Sequence, residues 1–378
     1  MSHVALALAA SSCASTQAAR VGPSAPPKDV ATLRAEVGKE ERAIAETTRA
    51  YPDPALRAYL ERVAARVAGP GESGAAPPIR VVVILDPRVN AFALPDGPVY
   101  VHTGLLARLD SEPQLAAVLA HELAHATERH ALRVGRPAGG AIAGVFGGRD
   151  LPLALQAAVT GYGRDLEREA DALGIARLAA AGYEARQAAA AYHRLEPERG
   201  EPVELEVFAL GNPSRLEERA AAARELLRDR AGAAESGAAE ASGEDFARRT
   251  RGAVRENALL DLRAGRFERA RAQLERIEAS APNDPATQLA LGDLFRLEAQ
   301  RAGRPEGERA LLDRARGAYE RALALDPAYP EAFRQLGLLY YQARDNERAR
   351  EAFGKYLALR PDAPDAARIR EYVSTLEQ

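Results

Sequence analysis

Ala120-His121-Glu122-Leu123-Ala124-His125-Ala126 is the stretch whose reading decides the fold. It spells HExxH inside an apolar pattern of helical period. Histidines four apart project from one face of a helix and can grip a single metal ion. Glu122 then stands beside the ion, where it can act as a base on water. Ser111 as N-cap, with Gln114 three residues on, predicts a capping box at the start of this helix. Leu115, Val118, Leu119 and Leu123 form its inward side. A helix this apolar belongs in a core, where a pair of ligands is held rigid.

Composition narrows the chemistry. The chain has 378 residues, enough for two domains and a sizeable core. A net charge of -3 and the lack of a basic stripe argue against nucleic acid as a partner. Tryptophan is absent, aromatics are 5% and alanine is abundant, so a mostly helical protein is predicted. Cys13 is the single cysteine, which excludes an intrachain disulfide and a thiolate metal site. Any zinc site must use histidine and carboxylate, and the chain has only 6 histidines.

No run of eighteen apolar residues occurs, so no transmembrane helix is predicted. Val4 to Ala10 followed by Ser11-Ser12-Cys13 resembles a bacterial lipoprotein signal, which implies a lipid anchor at Cys13. It departs from that pattern in lacking Lys or Arg before the apolar run and in placing Ala10 where leucine is usual. Arg20 to Lys28, with three prolines, reads as a tether.

Downstream, Asp29 to Arg49 and Ala55 to Val67 read as amphipathic helices separated by Tyr51-Pro52-Asp53-Pro54. Ile79–Leu85, Asn90–Leu94 and Val99–Thr103 are strand candidates, so a small sheet precedes the motif helix. A peptide substrate can bind such a sheet by adding its own backbone to an exposed edge, and Val99, Tyr100 and Val101 are the expected docking strand. His102 is read as a strand residue. His130 lies five after His125, about 140° round a continued helix, so it is expected to face away from the metal. Gly135 to Gly148 reads as a glycine-rich loop.

The segment Tyr162-Gly163-Arg164-Asp165-Leu166-Glu167-Arg168-Glu169-Ala170-Asp171 opens another helix, with Glu167 and Asp171 on one face. A catalytic zinc needs a third protein ligand and an open position. A carboxylate from this helix can supply the ligand, and another one turn away can accept the N–H of a ligating histidine and fix its tautomer.

Taken in order, Asn90-Ala91-Phe92-Ala93-Leu94-Pro95, Val99-Tyr100-Val101, Gly104-Leu105-Leu106, His121-Glu122-Leu123-Ala124-His125 and Glu167-Arg168-Glu169-Ala170-Asp171 resemble zinc metallopeptidases of the HtpX, BepA and CAAX-prenyl-endoprotease type. The resemblance spans roughly residues 35 to 225. It implies one zinc held by His121, His125 and Glu167, with Glu122 as general base and Asp171 steadying a ligand. It also implies an endopeptidase of the bacterial cell envelope, periplasmic and acting on misfolded or unassembled proteins. Asp96 and Gly163 depart from the common pattern. Asn212 stands where BepA-like members carry a histidine able to cap the zinc, so that switch is not expected here. Tyr162, Arg164, Asn212 and Arg219 are candidates for stabilising the oxyanion.

Ala231 to Gly243 holds no large apolar residue and reads as a linker. Beyond it, Phe333, Leu336, Gly337, Tyr340, Ala349, Phe353 and Pro361 fall at the spacings of a tetratricopeptide repeat. Leu291, Gly292, Phe295, Ala315, Tyr319, Ala322 and Pro327 mark the unit before it, with an insertion around Gln300 to Glu308. A weaker unit carries Gly265, Phe267, Ala270 and Pro282. The expected architecture is therefore a mainly α, zincin-like α+β domain with a small sheet, followed by an all-α solenoid. Its expected segments are 1–28 (signal and tether), 29–230 (metallopeptidase), 231–250 (linker) and 251–378 (repeats). The solenoid offers a groove for a protein partner. A non-enzymatic chaperone or assembly scaffold is the competing reading.

Overall fold

The computed structural model describes residues 30–69, 79–95, 97–130, 163–195, 216–229, 243–301 and 305–376. Cys13, Asp96, the 135–148 loop, Tyr162, Asn212 and the 231–242 part of the expected linker lie outside them.

The fold is mainly helical, with one three-stranded sheet in its first half. Helix α1 (Val30–Thr47) leads to α2 (Pro54–Ala68). Asp53 caps α2 by accepting from the N–H groups of Ala55 and Leu56, and Pro54 sits in its first turn, where no N–H is needed. Strands β1 (Val81–Ile84), β2 (Ala91–Ala93) and β3 (Val99–His102) follow, then a short α3 (Thr103–Arg108). Strand order is β1-β3-β2, with β3 parallel to β1 and antiparallel to β2.

Both faces of the sheet are covered, so its strands are apolar on both sides. Val81, Val83, Ala91, Ala93, Val99 and Val101 pack into the main core with α2 and the motif helix. The alternate residues Ile84, Phe92 and Tyr100 pack under Val37 and Ile44 of α1, and Phe92 stacks on Tyr100 at 4.8 Å.

The motif helix is α4 (Glu112–Thr127), and every residue from Pro113 to Ala126 is buried. The expected capping box forms only in part. The Ser111 side chain makes no cap hydrogen bond, while Gln114 Oε1 reaches back to accept from the N–H of Asp110 at 2.9 Å. Against α4 pack α5 (Arg164–Ala180) and α6 (Arg186–Leu195), and α7 (Leu216–Asp229) packs on α5 and α6. Gly174 lets α5 come close: a Cβ there would lie 3.2 Å from the backbone of His121.

The second half comprises α8 (Gly243–Arg263), α9 (Phe267–Ser280), α10 (Pro285–Ala299), α11 (Pro305–Leu325), α12 (Pro330–Gln342), α13 (Asn346–Leu359) and α14 (Ala366–Thr375). Equivalent glycines seat equivalent rings: a Cβ at Gly292 would meet Tyr319 at 2.3 Å, and one at Gly337 would meet Phe353 at 2.4 Å. The insertion is absorbed largely as helix, since α11 has 21 residues where α9 and α13 have 14.

One boundary differs from the sequence reading. Helix α8 starts at Gly243, inside the stretch read as linker, and Phe246 and Ala253 are buried in the peptidase-side core. Thr103 Oγ1 donates to Asn257 Oδ1 at 3.0 Å across the same contact. Phe246 is a lone large apolar residue among charged neighbours, which is why composition alone did not mark it as a docking side chain.

Candidate metal centre

The i, i+4 spacing on α4 places both imidazoles on one face, with His121 Nε2 and His125 Nε2 3.0 Å apart. Helix α5 crosses that face and brings Glu167 to it. Its Oε2 lies 3.6 Å from His121 Nε2 and its Oε1 3.9 Å from His125 Nε2. One ligand atom from each residue lies within 4.8 Å of the others, and all three residues are buried. A tetrahedral zinc takes N and O donors at about 2.0–2.2 Å, so its ligand atoms sit roughly 3–4 Å apart. The donor set and spacing here fit such an ion.

Both imidazoles are also held from behind. His121 Nδ1 faces Asp171 Oδ1 at 3.0 Å, and His125 Nδ1 faces His130 Nδ1 at 2.9 Å. With each Nδ1 engaged, each Nε2 faces the shared space, where Arg219 Nη2 also comes within 3.2 Å of His121 Nε2. The position of His130 corrects the expectation that it faces away. Helix α4 ends at Thr127, and Arg129 adopts φ 52°, a left-handed turn that brings the chain back under His125. The helical-wheel extrapolation failed because the helix it extrapolated stops.

Arg219 and Tyr192 complete the cluster. Arg219 donates from Nε to Asp171 Oδ2 at 3.0 Å and from Nη2 to Asp171 Oδ1 at 2.6 Å, and its Nη1 lies 3.4 Å from Glu167 Oε2. The Tyr192 hydroxyl donates to Asp171 Oδ1, and the guanidinium lies 4.4 Å over the tyrosine ring. Asp171 thus accepts from two helices while it holds an imidazole. Burial would raise its pKa, but the Arg219 charge and its hydrogen bonds outweigh that and hold it well below the usual carboxylate range. Arg219 stays firmly protonated: burial opposes its charge, but Tyr192 and Asp171 more than compensate.

Glu122 is buried, and its Oε1 has no hydrogen-bond partner. Burial, and after it the nearby Glu167 carboxylate, pushes its pKa well above the usual range. His125 is pushed well down by burial and by its neighbours His121 and His130.

The remaining candidates fall elsewhere. Arg164 is the exposed first residue of α5. Val99, Tyr100 and Val101 form the central strand, with β1 on one side and β2 on the other. Their backbone groups already have partners, so a substrate strand cannot add there, and the expected docking strand is corrected. Strand β2 is the edge. Its neighbours Asn90 and Leu94 pair with His102 and Pro98, so by alternation the backbone groups of Ala91 and Ala93 turn away from β3, yet both residues are buried and this edge is covered as well. The far side of β1 is partly covered: the Tyr51 N–H donates to the Val83 carbonyl, and the Leu85 N–H to that of Arg49.

Sequence reasoning missed Tyr192, and its signal was faint: one tyrosine on the buried side of an alanine-rich helix. Gly174 gave even less.

Residues 54–227 match peptidase family M48, and residues 308–374 match a tetratricopeptide repeat family. The chain carries an M48 peptidase domain followed by tetratricopeptide repeats. The beta-barrel assembly-enhancing protease of Escherichia coli K12 is 32% identical over 151 residues, which is 35% of this chain and 31% of that protein. The mitochondrial metalloendopeptidase OMA1 of Arabidopsis thaliana is 37% identical over 122 residues, 30% of this chain and 25% of that protein. A Vibrio cholerae relative is 34% identical over 165 residues, 39% of this chain and 34% of its own. The matched part thus spans between 25% and 34% of the length of these relatives. Among solved structures, human IFIT1 aligns over 91% of this chain with 14% identity and a TM-score of 0.28, too low to bear on the fold.

Proposed function

We propose that this protein is a zinc-dependent endopeptidase in which His121, His125 and Glu167 hold the metal and Glu122 moves the proton. One observation carries the reading: two imidazole nitrogens and a carboxylate from a separate helix converge at ligand spacing, beside the buried Glu122, whose Oε1 has no hydrogen-bond partner. When bound, zinc supplies a Lewis acid that polarises a carbonyl and makes water a nucleophile near neutral pH.

The protein's own residues do the rest. Glu122 takes the proton of the attacking water and hands it to the departing amine. Asp171 holds His121 in the tautomer that leaves Nε2 free, and Arg219 and Tyr192 hold Asp171.

The name of the Escherichia coli relative supports a substrate class of cell-envelope proteins. The repeats fit recruitment of those proteins, along the groove lined by Leu291, Phe295, Arg314 and Arg321. No helix among the described residues is long and apolar enough to cross a membrane. Mass spectrometry of the mature N-terminus tests a lipid at Cys13.

Digestion of casein tests the activity. Cleavage is expected from the purified protein, lost with a chelator and restored by zinc. Glu122→Gln should lower it by about 10²–10⁴-fold with zinc still bound. Chelator-insensitive digestion, or full activity in Glu122→Gln, would refute the assignment and return the scaffold reading to first place.

A further inference from the structure

The geometry points to His130 as a positioning residue for the metal centre, acting through His125. This rests on the proposed ligand set, in which His125 offers Nε2. A neutral imidazole that offers Nε2 carries its proton on Nδ1. That proton points at His130 Nδ1, 2.9 Å away, so His130 accepts there. His130 then carries its own proton on Nε2, with the half-exposed Glu169 carboxylate 3.5 Å away as a nearby charge and not as a hydrogen-bond acceptor.

The two ligating histidines are therefore braced in different ways. His121 rests directly on the carboxylate of Asp171, and His125 rests on a second imidazole, that of His130.

Two further observations favour a specific role over chance packing. His130 is fully buried, a costly place for a polar ring, and the hydrogen bond given for it is the one its Nδ1 makes with His125. Reaching that position requires Arg129 at φ 52°, a left-handed conformation that is disfavoured for a non-glycine residue. The chain adopts the disfavoured turn, and the turn delivers His130 to His125.

The test measures zinc affinity by chelator competition in the full chain, alongside thermal unfolding of the metal-free protein. His130→Phe keeps a ring and removes the acceptor, and zinc should bind about 10–100-fold more weakly. His130→Asn puts an amide oxygen near the Nδ1 position and should recover most of the affinity. His130→Gln places its amide further out and should not. If His130→Phe fails to fold, the Asn and Gln pair decides, because packing alone would not separate them. Equal affinity in wild type and a folded His130→Phe, or equal affinity in the Asn and Gln variants, overturns the inference. Failure of the wild-type protein to bind zinc would instead overturn the ligand set beneath it, and the two failures are distinguishable.

Discussion

The two halves of this protein are held together by different means. Around α4, contacts join residues far apart in sequence: Arg219 reaches back 48 positions to Asp171 and 98 to His121. In the repeats each helix pair contacts its neighbours, and the same glycine-on-ring contact recurs at Gly292 and Gly337. The peptidase side spends stability on charge buried for chemistry, whereas the repeats bury mainly apolar side chains. A site made of paired charges is fragile when one member is removed, and a stack of similar units is not.

The largest expected effect breaks the comparison on its charged side. Arg219→Met leaves Asp171 and Glu167 buried without their cation, which should cost about 3–5 kcal/mol in the metal-free protein. Denaturant unfolding of the metal-free variant measures this. Zinc should restore part of the loss, because it supplies positive charge to the same carboxylates. A metal-free stability equal to wild type would show that the cluster is not held by this pair.

Acid should separate the halves next. All 6 histidines lie before residue 194, so the repeats contain none. His102 is fully buried beneath the sheet, and desolvation, only partly offset by Asp86, lowers its pKa from 6.5 to about 4. Between those values the unfolded chain binds the proton and the folded chain does not. Stability therefore falls as pH drops from 6.5 to 4, by on the order of 3 kcal/mol for this one group, and levels off below. Hydrogen exchange across that range should show protection lost around β3 and kept in α12 and α13. In His102→Gln the loss on the peptidase side should shrink, and an unchanged pH dependence would remove His102 as its source.

The smallest effect sharpens the contrast between local and distant packing. Gly337→Ala pushes a methyl into the Phe353 ring, and Gly174→Ala pushes one against the backbone of His121. Each should cost about 1–3 kcal/mol in thermal unfolding. Only Gly174→Ala should also weaken zinc binding. Equal zinc affinity in the two variants would mean that the approach of α5 to α4 does not set the ligand geometry.

Legibility in the sequence follows the same division. HExxH, the Glu167 and Asp171 pair and the repeat spacings are all short-range patterns, and each could be read from residues within one or two turns. The order of the strands could not, because three short apolar segments do not say which is central. Spacing alone therefore cannot tell that β3 has neighbours on both sides and no edge to offer a substrate. His130 was misplaced because a single left-handed residue, Arg129, ends the helix that spacing alone continues. Tyr192 and Gly174 became visible only when three helices were packed together. The start of α8 was hidden because Phe246 finds its partners in a domain more than a hundred residues earlier.

Metal content of the purified full chain tests the account most directly, with wild type beside Glu167→Ala. One zinc per chain is expected in the wild type, and a large loss is expected in Glu167→Ala while the apo proteins unfold alike. Full zinc occupancy in Glu167→Ala would contradict the ligand set on which the proposed chemistry stands.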